Sequence, residues 1–544
     1  MNQGQDSAAA PRQPWLPRKR AAACALALIV LLGAGARLWR VGGPSLWMDE
    51  ATSVYLARLQ FATEAERGRL DLAERVALMA RHCGKHDLHP PGYQCLLLLA
   101  LEWLGASEAA ARAPSALAGI VSVALLYCLA STLYGRAAGL VAAALGAASA
   151  HLVFFSRDAR LHSLLACLTL GHACLLVSLV RAPRPSWRKL FAYALVGAAC
   201  LWTYLPYGMV IAGHWLFWGL YASRSRKNAL RFALAQVVMC ASVAPWIPVA
   251  GRLSGALRQR LAENPEDERP LTPGVVAPAL LDMPAGAQLA LSGATPALAP
   301  SAGAGRLVFA EADVSDSYWL GAWPVWAMGG AAMLVGCLRR GEKGERLWPL
   351  LLVPVAAALA MPAPRVHVFE VKHVAFAVPL ALAAVAAHAA APRGLKSFWL
   401  AAAAVLLVVN VSGLVRILSP SFEKEPWRAA LRLAQEQGRD GDIMLFEPEH
   451  ALAPYFFYVH KAMPPATART FADAERRGRA GGRVWLVELE NPVSHQSGRV
   501  FAWLSHRWQE ARPSVVFQGY LGAIRVTLFE RPDGAGAKGG APAK

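Results

Sequence analysis

The residues best suited to chemistry in this chain are two adjacent acids, Asp49 and Glu50, in the stretch SLWMDEATSVYLAR at 45–58. The stretch follows the first long apolar segment. The acids lie between Trp47 and Tyr55, aromatic types that collect at membrane–water interfaces. A carboxylate held at such an interface could act as a base on a lipid-bound substrate. The alternative is that the acids are simply hydrated or cap a short helix.

A second polar cluster, HDLHPPGYQ at 86–94, precedes another apolar run. His86, Asp87 and His89 are metal-ligand types, but no further ligands follow at a zinc-like spacing. A divalent metal is therefore possible but unsupported, and contact of His89 with a phosphate is the preferred interpretation. The Pro-Pro pair favours a helix start that places Tyr93 one turn inside. A purely structural turn is the alternative.

A third cluster, SRDARLH at 156–162, fills a very short loop. Arg157 and Arg160 are three residues apart and could share one helix face. The planar guanidinium of arginine donates two parallel hydrogen bonds, a geometry that suits phosphate. An internal ion pair between Asp158 and a neighbouring arginine is the alternative.

A fourth cluster, RVHVFEVKHVAF at 365–376, places Lys372 and His373 at the start of a helix. A cation there could contact an anionic lipid headgroup. The alternative is a lysine that snorkels to the interface without a specific partner.

Together these clusters combine a base with several cations. Asp49 would take the proton of an acceptor, and Arg157, Arg160 and Lys372 would stabilise a leaving phosphate. The combination predicts transfer of a group from a phosphate-bearing lipid to a hydroxyl acceptor.

The composition predicts a membrane protein. Of the 544 residues, 56% are hydrophobic and 17% charged, against about 25% charged in soluble domains. The net charge of +19 would indicate nucleic-acid binding in a soluble chain. Here the basic residues lie in short loops between apolar runs, where they set membrane orientation, so nucleic-acid binding is not predicted. Seven of the nine cysteines lie in apolar runs, and no disulfide framework is predicted.

Apolar runs of about the length of a bilayer predict 11 spanning helices. They are 21–39, 113–133, 137–155, 161–180, 190–204, 207–222, 231–250, 317–338, 347–361, 372–391 and 397–418. A shorter run, 90–104, is predicted to be interfacial or re-entrant, because all the basic loops then fall on one side. This topology places the N-terminus inside and the C-terminus outside. The first apolar segment, 21–39, is predicted to be a retained helix rather than a cleaved signal peptide.

The predicted domains are a cytoplasmic tail at 1–20, a transmembrane domain at 21–418 and a small α/β domain at 419–533, with a compositionally disordered tail at 534–544. The transmembrane domain has outer loops at 40–112 and 251–316. In the α/β domain, strands are predicted at 442–446, 483–489, 513–517 and 522–529, and helices at 426–437 and 498–511.

The order of the motifs resembles the integral-membrane glycosyltransferases of the GT-C type. It is most similar to the bacterial family 39 relatives of protein O-mannosyltransferases and lipid A aminoarabinose transferases. The matching pieces are DE at 49–50, HPPGY at 89–93, GASEAAARAPSALAGI at 105–120, SRDARLHSL at 156–164 and FEVKHVAFAVP at 369–379.

The resemblance implies a GT-C-like helical membrane fold and a polyprenyl-phosphate-linked sugar donor. It further implies inverting transfer to a lipid, glycan or protein acceptor at the outer face of a bacterial inner membrane, with the C-terminal domain in the periplasm. Asp49 would be the base, and Asp158, at a second acidic position of the family, would be a further catalytic acid. Glu50 completes this catalytic group as a structural or substrate-orienting partner of Asp49. Predicted donor-phosphate contacts are Arg157, Arg160, His89, Lys372 and His373, and predicted substrate-lining residues are Tyr55, Tyr93 and His162.

Three of these motifs depart from those of the relatives. His89 stands where the aminoarabinose transferases have Lys before Pro-Pro, so the charge of this contact depends on pH. Lys372-His373 stands where Arg-Tyr is common, and His162 where Tyr is frequent. The two loops contain no Asp-x-Asp, so no metal cofactor is required by the sequence.

A transporter or flippase of a lipid-linked saccharide is the alternative function. Transporters place ionisable residues near the bilayer midplane. The predicted spans of this chain contain few charges, and the notable ones lie at the outer ends, which favours surface chemistry. A membrane anchor for the C-terminal domain is a weaker alternative, since it would need far fewer helices.

Overall fold

The computed structural model describes residues 19–86, 89–222, 225–263, 280–285, 316–360, 374–390, 393–477, 482–490 and 498–532. The first part is helical and contains the apolar segments, and the second, after Leu418, contains a sheet with flanking helices. The predicted fold class, a helical polytopic domain followed by a small α/β domain, is confirmed. Predicted site residues Asp87, Lys372 and His373 lie outside the described residues.

Long stretches rich in Ala and Leu, both good helix formers, produce the helices of the first part. Numbered α1 to α17 in chain order, they are Lys19–Leu38, Met48–Ala57, Glu64–Arg67, Leu72–His86, Gly92–Leu104, Glu108–Tyr134, Arg136–Ala148, Ala150–Ser156, Leu161–Val180, Trp187–Thr203, Gly208–Tyr221, Arg226–Ser242, Ile247–Glu263, Asp316–Leu338, Trp348–Ala360, Val378–Ala386 and Arg393–Leu418. Residues 280–285 are also helical, and 3-10 turns cover Leu205–Tyr207, Ala244–Trp246 and Ala387–Ala390.

Each segment predicted to span the membrane coincides with a helix or a broken helix in the structure. Within the described residues, five helices are long and apolar enough to cross a bilayer, and α7 with α8, bent by 57°, forms a possible sixth. The remaining predicted spans form shorter helices. The predicted total of 11 crossings therefore stays a prediction, while the multi-pass membrane character is supported.

Helix α6 is the scaffold of the candidate site. Ser107 caps its start, with Oγ accepting from the Ala110 N–H at 3.1 Å. At Gly119, an added Cβ would lie 2.0 Å from Ser156 Oγ, so α6 and α8 approach closely. This contact fixes the end of α8 and therefore the loop 157–160 that follows it.

The C-terminal part is a mixed sheet. Its strands are Ile443–Glu447 (β1), Pro465–Thr467 (β2), Arg483–Glu490 (β3), Gln509–Glu510 (β4), Val515–Phe517 (β5) and Ala523–Glu530 (β6). The order is β2-β1-β3-β6-β4, with β5 also on β6; β2, β1 and β3 are parallel, and β6 is antiparallel to its neighbours. Helices Trp427–Gln437 (α18), Ala453–Tyr458 (α19), Ala468–Arg476 (α20) and Arg499–Ser505 (α21) flank it, with a 3-10 turn at Glu449–Leu452.

The predicted elements of this part coincide with β1, β3, β5, β6 and α18. The helix predicted over 498–511 is wrong in its length: α21 ends at Ser505, and residues 509–510 form β4. Between them, Trp508 is buried against Phe471 of α20. Burial of this side chain ends the helix early.

Candidate active site

Helix α2 contains the two acids and begins at a fixed point. The preceding residue, Trp47, is extended, and its N–H donates to Glu50 Oε2 at 3.3 Å. The Met48 N–H donates to Glu425 Oε2 at 2.8 Å. A carboxylate at a helix N-terminus satisfies N–H groups that have no partner within the helix. The first turn of α2 is thus held by one acid from the helix itself and one from the start of the C-terminal part.

Glu50 is fully buried and forms an ion pair with Arg112 of α6. Arg112 Nε donates to Oε1 at 2.7 Å and Nη2 donates to Oε2 at 2.6 Å, while the Ala159 N–H also donates to Oε1 at 2.7 Å. Burial acts to raise the pKa of Glu50, but the Arg112 charge and hydrogen bonds outweigh it and hold the pKa below its ordinary value. Glu50 therefore joins α2, α6 and the loop after α8.

Asp49 has the opposite environment, since its side chain is 31% exposed. Asp49 Oδ2 lies 3.4 Å from Arg160 Nη2, and the Arg160 side chain is 26% exposed. Arg160 Nη1 also donates to Ser53 Oγ at 3.3 Å. The structure therefore brings together an accessible carboxylate and an accessible guanidinium, from clusters more than a hundred residues apart in the chain.

Asp158 is buried next to Trp47. Its Oδ1 accepts from Trp47 Nε1 at 2.8 Å and lies 3.4 Å from Lys424 Nζ. Burial raises the pKa of Asp158 to about 6, against the lowering effect of Lys424. The carboxylate is thus part of the site but not open to solvent.

The segment 423–425, of sequence EKE, was not predicted to belong to the site. Glu423 Oε2 accepts from the Ser45 N–H at 2.8 Å, and Glu425 Oε2 accepts from Trp427 Nε1 at 2.7 Å as well as from α2. Burial raises the pKa of Glu425 to about 7. A run of charges directly after the last apolar segment, next to a tryptophan, is the sequence signal that could have indicated it.

Comparison with known proteins gives the fold of this helical scaffold. Residues 88–248 match the family model described as dolichyl-phosphate-mannose-protein mannosyltransferase. A structure of ArnT from Cupriavidus metallidurans bound to undecaprenyl phosphate is similar over 95% of this chain and 99% of its own, at 13% identity and a TM-score of 0.51. The chain has the fold of the GT-C glycosyltransferases. This confirms the resemblance drawn from the motifs.

Two further structures are also similar to this chain. ArnT from Cupriavidus metallidurans in the apo state matches over 92% of this chain and 98% of its own, at 14% identity and a TM-score of 0.50. Archaeal oligosaccharyltransferase AglB from Archaeoglobus fulgidus matches over 86% of this chain and 69% of its own, at 11% identity and a TM-score of 0.48. A comparison with curated proteins found no match.

Other predicted site residues of the chain have structural partners. Arg157 is buried, and its guanidinium donates to the Trp39 carbonyl just after α1, and to that of Ala36 at 3.4 Å. The Tyr93 hydroxyl is buried against Ser115 Oγ at 2.9 Å. These contacts tie α1 and α5 to the site and engage the polar group of each side chain.

The remaining predicted residues lie around aromatic rings. The ring of His89 is 5.0 Å from that of Tyr204, and His162 is 5.2 Å from Phe155. Tyr55 packs against Phe456 of α19 at 5.1 Å between ring centroids. Tyr55 therefore lies where α2 meets the C-terminal part.

Within the part of the chain that the structure describes, no group of three or more His, Cys, Asp or Glu side chains could hold a metal ion. The described donors around Asp49 are instead an arginine and a serine. Such a set can accept a proton at Asp49 and stabilise an anion at Arg160.

Proposed function

We propose that this chain is a glycosyltransferase that moves a sugar from a polyprenyl-phosphate donor to a hydroxyl or phosphate acceptor. The transfer occurs at the outer face of a bacterial inner membrane. The observation that carries the proposal is the accessible pair Asp49–Arg160, held by the buried pair Glu50–Arg112 beneath it. Transfer from a phosphate donor needs a fixed carboxylate to take the acceptor proton and a nearby cation to stabilise the leaving phosphate.

The proposed reaction is a single displacement. Asp49 takes the proton of the acceptor, whose oxygen forms a bond to the anomeric carbon as the bond from that carbon to the donor phosphate breaks. Attack from the side opposite the leaving group inverts the anomeric configuration. Arg160 stabilises the leaving phosphate, with His89, Lys372 and His373 as further proposed contacts.

The difference in solvent exposure supports Asp49 over Asp158 as the base. Asp158 is 2% exposed and engaged by Trp47 and Lys424, whereas the Asp49 side chain is 31% exposed. A base must reach the proton that it removes. Asp49 is therefore the proposed base, and Glu50, Asp158 and Arg157 are proposed to position it.

Support for a lipid-phosphate donor comes from the comparisons. The matched family is described by its dolichyl-phosphate-mannose donor, and the matched region, 88–248, contains His89, Asp158 and Arg160. The similar ArnT structure was solved with undecaprenyl phosphate. Both name a polyprenyl phosphate, the class of carrier that we propose for this chain.

The decisive experiment follows the release of polyprenyl phosphate from a panel of polyprenyl-phosphate sugars by the purified protein. Asp49→Asn removes the base and keeps the shape of the side chain. We expect it to lower the transfer rate by about 10²–10⁴-fold. Because Asp49 is half-exposed, the thermal stability of the variant should match that of the wild type.

Asp71→Asn is the matched control, because Asp71 is an exposed acid of the same loop that caps α4 and asparagine caps equally well. Near wild-type transfer by Asp49→Asn would remove Asp49 as the base. Movement of an intact lipid-linked saccharide between leaflets, without sugar release from any donor, would replace the proposal with the flippase alternative.

A further inference from the structure

Lys424 is a buried cation that reaches the site from the start of the C-terminal part. Its side chain is 5% exposed, and Nζ lies 3.4 Å from Asp158 Oδ1. Two aromatic rings enclose the ammonium: the Phe154 ring centroid is 4.2 Å from Nζ and the Trp47 ring centroid is 5.5 Å away. Aromatic faces stabilise a cation more strongly where water is excluded.

The backbone on both sides of Lys424 is fixed. The Lys424 carbonyl accepts from the Leu521 N–H at 2.8 Å, and the Glu423 carbonyl accepts from the Tyr520 N–H at 2.8 Å. The side chains of Glu423 and Glu425 bind the residues that precede α2 and its first turn, respectively. The position of the ammonium is thus set before any substrate arrives.

A buried ammonium is costly unless an opposite charge balances it. In the described part of the chain, the carboxylate within 4 Å of Lys424 is that of Asp158. The same oxygen, Oδ1, accepts from Trp47 Nε1. Trp47 directly precedes α2, so a shift of Asp158 would move the start of the helix that contains Asp49.

We propose that Lys424 is a positioning residue of the transfer reaction, which balances the charge of Asp158 and holds that carboxylate against Trp47 so that α2 presents Asp49 in one orientation. The inference rests on the proposed function. It adds a residue from outside the transmembrane domain to the catalytic unit. The C-terminal part is then required for catalysis and not only attached to it.

The role of Lys424 predicts a specific pH dependence. The groups that face Asp158 are Lys424 and Trp47, with Glu50 and Arg160 as further charges. Burial already raises the pKa of Asp158 to about 6, and loss of the Lys424 charge raises it further. Asp158 then takes up a proton at a higher pH, and the hydrogen bond from Trp47 to a carboxylate is weakened.

The experiment measures kcat/KM for a polyprenyl-phosphate sugar between pH 5 and pH 9 for the wild type and Lys424→Met. We expect the acid-side midpoint of Lys424→Met to move up by about 1–3 pH units. The rate at pH 6 should fall roughly tenfold or more, and the loss at pH 9 should be much smaller. Lys424→Arg should largely restore the profile, and Lys227→Met, at an exposed lysine of α12, should not change it.

The double variant Lys424→Met/Asp158→Asn tests whether the shift arises at Asp158. Its acid-side midpoint should equal that of Asp158→Asn alone. A uniform loss of rate at every pH in Lys424→Met would show a merely structural role and overturn the proposal. The proposal would also be overturned if the acid-side midpoint of the double variant lay above that of Asp158→Asn alone.

Infrared titration of the buried carboxyl band gives a readout that does not need turnover. Asp158→Asn identifies the band, and Lys424→Met, or Lys424→Gln if the first variant does not fold, should move its midpoint to higher pH. An unmoved midpoint overturns the role of Lys424 even if the wild type transfers sugar. If the midpoint moves but the wild type uses no donor, the proposed function fails while the link between Lys424 and Asp158 stands.

Discussion

Two consecutive acids of α2 have opposite surroundings, and the different roles that we propose for them rest on this difference. Glu50 is fully buried and bound by Arg112 and two backbone N–H groups, while Asp49 faces solvent beside Arg160. A buried carboxylate whose oxygens already accept several hydrogen bonds stabilises the structure, but a substrate cannot reach it to transfer a proton. An accessible one is free to act as a base.

This contrast predicts that Glu50→Gln lowers stability whereas Asp49→Asn does not. Removing the Glu50 charge leaves Arg112 buried and unpaired, which costs about 3–5 kcal/mol. Thermal unfolding in detergent would measure the loss as a lower midpoint. Arg112 also donates to the carbonyls of Val41, Pro44 and Ser45, so Arg112→Met should lower the unfolding midpoint as well. Equal midpoints for Glu50→Gln and Asp49→Asn would contradict the assignment.

At this scale the sequence predicted the types of the site residues better than their partners. Asp49, Asp158 and Arg160 were recognised by residue type and motif, and the structure places them around one helix start. Arg112 and Lys424 were not assigned, because their partners are set by tertiary packing rather than by spacing along the chain. For Arg157 the motif predicted a contact with the donor phosphate. In the structure its guanidinium instead donates to backbone carbonyls at the end of α1.

At the scale of elements, parallel strands β1 and β3 place two acids side by side. Glu447 and Glu488 are paired in register near the carboxyl ends of these strands, and both are buried. Burial and the neighbouring charge of Glu447 raise the pKa of Glu488 to about 8. The folded sheet therefore holds a proton that the unfolded chain releases at a much lower pH.

The sign of the resulting pH dependence follows from linkage. A carboxyl with a raised folded-state pKa contributes fully to stability below its unfolded pKa, and this contribution is lost as the pH rises through about 8. Glu488→Gln keeps the group neutral, so it should raise the unfolding midpoint of the C-terminal part by several degrees at pH 9 and leave it nearly unchanged at pH 5.

Glu449→Gln is the matched control for this titration. Glu449 is close to β1 in the chain but exposed, so this variant removes a negative charge that is not buried. Thermal scans of the full chain across pH 5–9 would measure both variants. Parallel pH profiles for Glu488→Gln and the wild type would show that Glu488 is ionised in the folded sheet.

Element types were predicted well where the apolar pattern was long. The helices at the segments predicted to span, and strands β1, β3, β5 and β6, were located from composition and period alone. The short strand β2 and helices α19 and α20 were not predicted, because a few residues carry too weak a pattern. Helix α19 matters for the site, since its Tyr458 hydroxyl accepts from the Leu46 N–H at 2.7 Å.

At the scale of the whole molecule, loop contacts divide into two groups. One group joins the C-terminal part to the residues before α2 and to the start of α6: Arg428 pairs with Glu108 and donates to the Gly43 carbonyl at 2.9 Å. The other joins the far end of α6 to distant basic loops: Arg181 donates to the Thr132 carbonyl at 2.7 Å and pairs with Glu345 at 2.6 Å. Because α6 links the groups and is long enough to span, we expect them to lie on opposite sides of the membrane.

This division agrees with the topology predicted from charge, in which the basic loops are inside and the acids of α2 and the C-terminal part are outside. The test inserts a protease-cleavage site into the full chain after Arg136, after Gly344 or in the tail after residue 532. In right-side-out vesicles we expect cleavage in the tail alone, and in inside-out vesicles cleavage after Arg136 and Gly344. Cleavage after Arg136 from the outer side would mean that residues 90–104 span the bilayer, or that the chain is inverted. In both cases the tail would be cut from the inner side, because an odd number of predicted spans separates it from Arg136. A further cleavage site in residues 1–20 tells the two apart: cleavage there from the inner side would establish that 90–104 spans and would leave the 11-helix topology wrong.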